Sequence, residues 1–294
     1  MLRSLSKFTV SALHKRWGHT ATVLDGKKIA GQWQSDLEAK ATDVTSLLGR
    51  APGLGVVLVG SRPDSRLYVQ RKQEACVKIG IKFWLQHLPD SVSQAAVESA
   101  VSQICQDASM DGILVQLPLP KHLDEEAVVR ACDPRKDVDG FHPRHRQLLK
   151  NRQQPYFLPC TALGVMELIA RSGITLPGKT AVVIGDSNVV GTPLAMLLQA
   201  NGVAALTTAD ILIVAVGHAE LVKRSWIKPG AVVIDVGINV VGNIDTGEYH
   251  VVGDIAYAEV AQVASAITPV PGGVGPMTIA AVLHNTIQAA WSNC

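Results

Sequence analysis

The 294-residue chain has five cysteines and no Cys-x-x-Cys pair: Cys76, Cys105, Cys132, Cys160 and Cys294 stand apart. Such scatter builds neither a zinc site nor a disulfide framework, and it points to a reducing compartment. Charge of one sign is equally scarce. A net charge of +2 at pH 7, with part of the excess gathered at the amino terminus, leaves no electrostatic footprint for nucleic acid. No apolar run approaches the roughly 20 residues that a membrane-spanning helix needs. What is present is 47% hydrophobic and 18% charged sequence, which suits a globular protein of two domains whose partners are small molecules.

Acids are also missing from the amino-terminal segment 1–24, which holds Arg3, Lys7, Lys15, Arg16 and several Ser and Thr, the first acid being Asp25. Leu2, Leu5, Phe8 and Val10 can line one face of a short helix. This is the pattern of a mitochondrial transit peptide, against the plainer alternative of a basic tail.

Downstream, strands and helices alternate. Ile29, Trp33, Leu37, Ala41 and Val44 recur at helical spacing over 26–48, and the glycine-bounded apolar run 55–60 reads as a buried parallel strand. A helix carrying Tyr68 and Lys72, a strand over 82–88, a helix over 93–106, a buried strand over 112–118 and a helix over 125–131 complete a first α/β unit. Thr161 is placed to cap a helix through 164–172. Strands over 180–184, 209–217 and 230–239, the first followed by a glycine-bearing turn and a helix through Leu198, form a second, Rossmann-like unit. Gly185, Asp186, Ser187 and Gly191 lie in that turn, where backbone can approach a dinucleotide. The spacing is not Gly-x-Gly-x-x-Gly, so the local signal is moderate. The chain ends in a stiff loop of prolines and glycines over 267–278, of the kind that lines ligand sites, and a last helix.

Tyr68 and Lys72, four residues apart, share one helix face. A lysine there, once partly desolvated, can move protons near neutral pH. The plainer alternative is a solvated lysine beside a half-buried tyrosine. Gln116 ends its strand where ligands of such sheets sit, and a neutral amide can hold a lysine without raising its pKa. In the turn 136–143, Asp137 and Asp139 are the two acids. Capping of the local backbone, the usual work of turn aspartates, fits Asp137 better than Asp139.

Taken together, Tyr68-x-x-x-Lys72, Val115-Gln116-Leu117-Pro118, Lys136-Asp137-Val138-Asp139-Gly140, Pro159-Cys160-Thr161, Gly185-x-Ser187 with Val190-Gly191-x-Pro193, Asp235-x-Gly237-Ile238-Asn239, Val252-Gly253-Asp254 and the 269–278 loop resemble, in order, the bifunctional methylenetetrahydrofolate dehydrogenase/methenyltetrahydrofolate cyclohydrolase family. The resemblance covers about residues 23 to 291 and separates the chain from short-chain dehydrogenases, where Tyr-x-x-x-Lys follows the glycine turn. It implies two α/β domains flanking a cleft: a folate-binding catalytic domain over 25–160, an NAD(P)-binding domain over 161–267, and a substrate loop and helix over 268–294 that return to the first domain. By the same resemblance the partners are tetrahydrofolate derivatives, the cofactor is NADP or NAD, no metal is used, and the chain forms a homodimer. Folate would lie over Tyr68 and pass a hydride to the nicotinamide. Lys72 would then assist water in opening the methenyl bridge, Gln116 would tune Lys72, and Asp139 would hold the pterin. Val115, Leu117, Pro271, Gly272 and Gly273 would line the folate site. Gly185, Asp186, Ser187, Gly191 and Ile238 would line the nucleotide site.

The departures fall mainly in the second half. The family usually has Arg, which binds the 2′-phosphate of NADP, where this chain has Asp186. It also has a strand and helix between the helix ending near Gln199 and the strand at Asp210; only the stretch 201–208 stands there. His145, Gln147, Ala162 and Ala219 replace Asn, Gly, Pro and Pro. Cyclohydrolase activity is thus expected more firmly than dehydrogenase activity, over a weakened nucleotide site. If NADP is used after all, Lys223 or Arg224 would have to take the phosphate. A second reading is a catalytically weak folate-binding subunit, or the product of an aberrant transcript that skips one exon.

Overall fold

The computed structural model describes residues 21–205, 209–243 and 248–293. Two parallel sheets are joined by long helices. Strand β1 (Thr22–Val23) precedes helix α1 (Gly26–Leu48), which Asp25 caps by accepting a hydrogen bond from Lys28 N at 3.0 Å. The helical period read from the sequence is the buried face of α1: Ala30, Trp33, Leu37, Ala41 and Val44.

In the first half, β2 (Gly53–Val59), α2 (Pro63–Lys78), β3 (Lys82–Leu88), α3 (Gln94–Gln106) and β4 (Gly112–Val115) form a three-stranded parallel sheet in the order β3-β2-β4. Central β2 is buried along its whole length, as a continuous apolar run requires. Three helices follow: α4 (Glu125–Arg130), α5 (Pro143–Lys150) and α6 (Cys160–Arg171). Between α4 and α5, Asp137 bridges in parallel to Ile113, with Ile113 N on Lys136 O at 2.7 Å and Val138 N on Ile113 O at 3.2 Å. That turn therefore extends the sheet beside β4.

The second half contains β5 (Thr180–Ile184), α7 (Gly191–Ala200), β6 (Ala204–Ala205), β7 (Ile211–Val214), β8 (Val232–Asp235), the hairpin β9 (Asn239–Asn243) and β10 (Glu248–Val252), α8 (Tyr257–Val260), β11 (Ala266–Ile267) and α9 (Val274–Trp291). Its six-stranded sheet runs β1-β11-β8-β7-β5-β6, and every pairing in it is parallel. α9 packs on α6 and α1 and also touches α2, which returns the chain's end to the first half. One apolar cluster runs through Leu54, Val56, Leu168, Ile213, Ile234 and Leu283, so the core is continuous across both halves.

Four expectations change. The leader was bounded at residue 24, but Ala21–Leu24 belong to the folded body: β1 pairs with β11, Leu24 N donates to Ile267 O at 2.9 Å, and Ala21 and Leu24 are buried. The rest of that segment, 1–20, lies outside the described residues. Thr161 does not cap its helix; α6 begins at Cys160, whose N–H is already bonded to Asp139 O at 3.1 Å, so backbone satisfies the first amide. The helix α5 follows the expected turn over 136–143, in a stretch for which no element was expected. Finally, a remnant of the shortened connection survives: β6 pairs in parallel with Thr180 and Ala181. A parallel crossover with a helix needs about a dozen residues or more. The stretch from β6 to β7 is far shorter than that, and β7 lies on the other side of β5 from β6.

Candidate active site

Parallel sheets gather their strand ends, and here that geometry assembles the chemistry. β2 feeds the amino end of α2, which carries Tyr68 and Lys72 one turn apart. β4 ends beside β2 at Gln116, and the Asp137 bridge sets Asp139 level with Val115. Lys72 is only 6% exposed, and its Nζ donates to Gln116 Oε1 at 2.9 Å. Gln116 Nε2 donates to Leu117 O at 2.8 Å, which fixes the amide so that its oxygen faces the lysine. Burial pushes the Lys72 pKa down against the opposing pull of the Asp139 carboxylate. A neutral amine at ordinary pH is what proton transfer from water requires.

Asp139, 8% exposed, is pushed up by burial and held down by Lys72 and the Cys160 thiol. A small cavity lined by Val115, Cys132, Asp137, Asp139 and Phe141 lies against it. Asp137 does the capping expected of it: Oδ2 accepts from His142 N at 2.6 Å. Its carboxyl is pushed up to about 7 by burial, while burial pushes His145 down to about 4. His145 Nε2 lies 3.5 Å from Asp137 Oδ2, and the ring stands edge-on to Tyr156 and Phe157. Both ring nitrogens are buried without a hydrogen-bond partner among the described residues.

The nucleotide-side residues collect at the carboxyl ends of β5, β7 and β8. A Cβ on Gly185 would strike the carbonyl of Ala215, and one on Gly191 the carbonyl of Gly185. Only glycines let the turn fold this tightly at the β5/β7 switch point. Ser187 Oγ accepts from Val190 N at 3.1 Å and Gly191 N at 3.4 Å, capping α7. Asp186 is exposed, and its carboxylate makes no hydrogen bond or ion pair among the described residues; Ile238, after β8, is exposed too. Lys223 and Arg224 line a surface pocket with Ile227, Pro229 and Glu259. Pro229 lies just before β8, so this pocket is at the amino end of the sheet, and neither cation is placed to meet a phosphate at Gly185.

The loop holding Pro271, Gly272 and Gly273 links the two clusters. It follows β11 of the second sheet, accepts Lys27 N on Gly272 O at 3.1 Å, and enters α9, whose Gly275 faces the Tyr68 hydroxyl. The sequence did not reveal several groups here. Ser65 Oγ, one turn before Tyr68, is buried with no partner among the described residues. Asp235 accepts from Gly237, Asp254 and Ile255 amides, and Asp254 from Val216 and Gly217 amides and Asn239 Nδ2. These two carboxylates shape the strand ends around Ile238. The signal that could have found them is a buried acid beside a glycine in each motif, Asp235-x-Gly237 and Gly253-Asp254.

A buried lysine at the rim of one parallel sheet, joined by a loop to the strand ends of a second, Rossmann-like sheet, is the arrangement of a nucleotide-dependent enzyme with two α/β domains. The chain belongs to the tetrahydrofolate dehydrogenase/cyclohydrolase family: the catalytic-domain model matches residues 24–139 and the NAD(P)-binding-domain model residues 159–294. Bifunctional protein FolD 2 of Arabidopsis thaliana is 46% identical over 287 residues, covering 92% of this chain and 96% of that protein. That alignment is longer than the share of this chain it occupies, so the relative holds residues with no counterpart here, in keeping with the shortened connection. Bifunctional protein FolD 1, mitochondrial, of the same plant is 45% identical over 284 residues, covering 91% of this chain and 80% of that protein. The methylenetetrahydrofolate dehydrogenase-cyclohydrolase of Trypanosoma brucei, solved with NADP and an inhibitor, matches with a TM-score of 0.88 at 35% identity, covering 94% of this chain and 99% of that one.

Proposed function

We propose that the chain hydrolyses 5,10-methenyltetrahydrofolate to 10-formyltetrahydrofolate and carries a weakened NAD(P)-dependent oxidation of 5,10-methylenetetrahydrofolate to the methenyl form. The single observation that carries this reading is the buried Lys72–Gln116 pair. Lys72, its pKa lowered by its desolvated seat, takes a proton from the water that attacks the methenyl carbon, and Gln116 keeps Nζ aimed without adding charge. Tyr68 is the platform for the folate, Asp139 accepts hydrogen bonds from the pterin, and Val115, Leu117 and the Pro271–Gly273 loop line the same space. Gly185, Ser187, Gly191 and Ile238 would hold the dinucleotide, which when bound would supply the hydride acceptor.

The loss of methenyltetrahydrofolate absorbance tests the first step. Lys72→Met is expected to abolish hydrolysis while folate binding stays within about tenfold, because the lysine acts on the transition state more than on the ground state. Equal rates in variant and parent would overturn the assignment.

The chain acts as a homodimer in the mitochondrion. β3 is an edge strand of its sheet, and Trp84 and Leu85 on it and Val77 before it are exposed, an apolar strip suited to a second copy. Sedimentation should give a dimer that Trp84→Lys dissociates. A fusion of residues 1–20 to a fluorescent reporter should enter mitochondria, and a diffuse signal would rule out import.

A further inference from the structure

The polar side chain that the chemistry above leaves unused is Asn285, in the middle of apolar α9 and 1% exposed. Its Nδ2 donates to Val138 O at 2.8 Å and to Leu158 O at 3.0 Å, and it lies 3.5 Å from Cys160 Sγ. Both neighbours are carbonyls, so the amide can face them only with its NH2, and each N–H finds one acceptor. The two carbonyls belong to separate segments on either side of Asp139. Val138 O lies in the same rigid peptide plane as the Asp139 N–H, so pinning that oxygen pins the backbone from which the Asp139 side chain departs. The other side is closed by Cys160, whose N–H donates to Asp139 O at 3.1 Å and whose thiol donates to Val138 O at 3.1 Å. Gly140, with φ +76°, abuts Leu158 and Pro159, so the two segments have no slack between them. α9 begins beside Tyr68. One helix therefore sets the spacing between the tyrosine platform and the Asp139 carboxylate.

We propose that Asn285 is a positioning residue for folate recognition, acting through the Val138 and Leu158 carbonyls to hold Asp139 in register with Tyr68 and Lys72. The inference rests on the folate reading of the site. It extends that reading to a residue that touches neither substrate nor cofactor. Loss of the amide leaves the Cys160 thiol as the one side-chain donor to Val138 O among the described residues and takes the side-chain donor from Leu158 O, which loosens the Val138–Asp139 peptide. Substrate affinity then falls, while the Lys72–Gln116 pair, held on α2 and β4, is left intact.

Steady-state cyclohydrolase kinetics on the full chain and on Asn285→Ala, Asp139→Ala and the double variant test this. Asn285→Ala is expected to raise KM about tenfold with kcat within about threefold, and in the Asp139→Ala background to change KM by less than about twofold, since residues acting as one unit are not additive. An unchanged KM, or the same fold-change in both backgrounds, would overturn it; a merely structural residue gives the latter. Should Asn285→Ala fail to fold by circular dichroism, Asn285→Ser keeps one donor and must raise KM above that of the parent chain by at least about threefold, again only when Asp139 is present; an unchanged KM would overturn the proposal. If the parent protein hydrolyses nothing, the functional reading fails by itself. Calorimetric titration of the four proteins with tetrahydrofolate then reads the same coupling in affinity.

Discussion

Lys72 owes its character to opposing influences. Removal from water disfavours its ammonium and the nearby Asp139 carboxylate favours it, and burial is the larger. Gln116 contributes orientation only, since an amide oxygen at 2.9 Å brings no net charge. Gln116→Glu places a carboxylate at that distance and raises the lysine pKa. The rising limb of the pH–rate profile is then expected to move to higher pH by at least about one unit, with a slower rate at neutral pH. A midpoint that stays in place would show that Lys72 does not titrate in the hydrolytic step. Asp139 makes a separate contribution. Asp139→Ala should weaken folate binding by about 1 to 3 kcal/mol through unpaired pterin donors; unchanged affinity in a titration would reassign Asp139 to the turn. Of these residues the sequence brought Tyr68 and Lys72 together, because they share a local helical repeat, and set Gln116 at the end of an apolar run. It could not show Asn285, Cys160 or Asp254 at work. Their partners are brought near by tertiary packing alone, as the bonds from Asn285 back to Val138 and Leu158 illustrate.

At the level of elements, legibility followed burial. α1 and β2 were readable because one stripe or both faces must be apolar, and the periodicity records it. The β9/β10 hairpin was not: Val240, Val241 and Tyr249 are exposed, so no alternation betrays its strands. β1 was hidden for another reason. Its two residues carry no pattern, and its partner β11 lies at the far end of the chain. That pairing makes a sharp test of where the folded body starts. Removing residues 1–20 leaves β1, the buried Leu24 and the Asp25 cap in place and should not change the melting temperature. Removing 1–24 strips the edge of β11 and deletes a buried leucine, a loss of about 2 to 3 kcal/mol in burial alone, and should lower Tm by several degrees. Equal melting of the two truncations would mean that β1 adds nothing to the fold.

Across the whole molecule the two reactions draw on different parts of the structure. On the proposed reading hydrolysis draws on Tyr68, Lys72, Gln116 and Asp139, all at the carboxyl ends of the first sheet or the turn beside it. Oxidation needs these and a nucleotide seated on the second sheet, where the chain departs from its family. Asp186 follows Gly185 at the amino end of α7, exposed and without a cationic partner among the described residues. A carboxylate there repels a 2′-phosphate, and it can accept a hydrogen bond from a free 2′-hydroxyl, as acids do in NAD-selective sites. Among the described residues the edge beyond β5 is the two residues of β6, a short wall for an adenosine, and electrostatic contacts weaken where water reaches them. Lys223 and Arg224 lie at the opposite end of the sheet and offer no substitute. NADP-dependent oxidation of methylenetetrahydrofolate is therefore expected to be absent or at least about a hundredfold weaker than is normal for such enzymes, with residual activity favouring NAD. That factor equals roughly 2.7 kcal/mol of transition-state stabilisation, a sum that one charge-assisted phosphate contact and one missing wall can supply. Asp186→Arg should then raise NADP-dependent turnover by about tenfold, the repulsion being replaced by a guanidinium contact while the wall stays short, and should leave hydrolysis unchanged. Robust NADPH formation by the parent chain, followed by its absorbance, would show that the phosphate is held elsewhere and that the shortened edge costs the enzyme little.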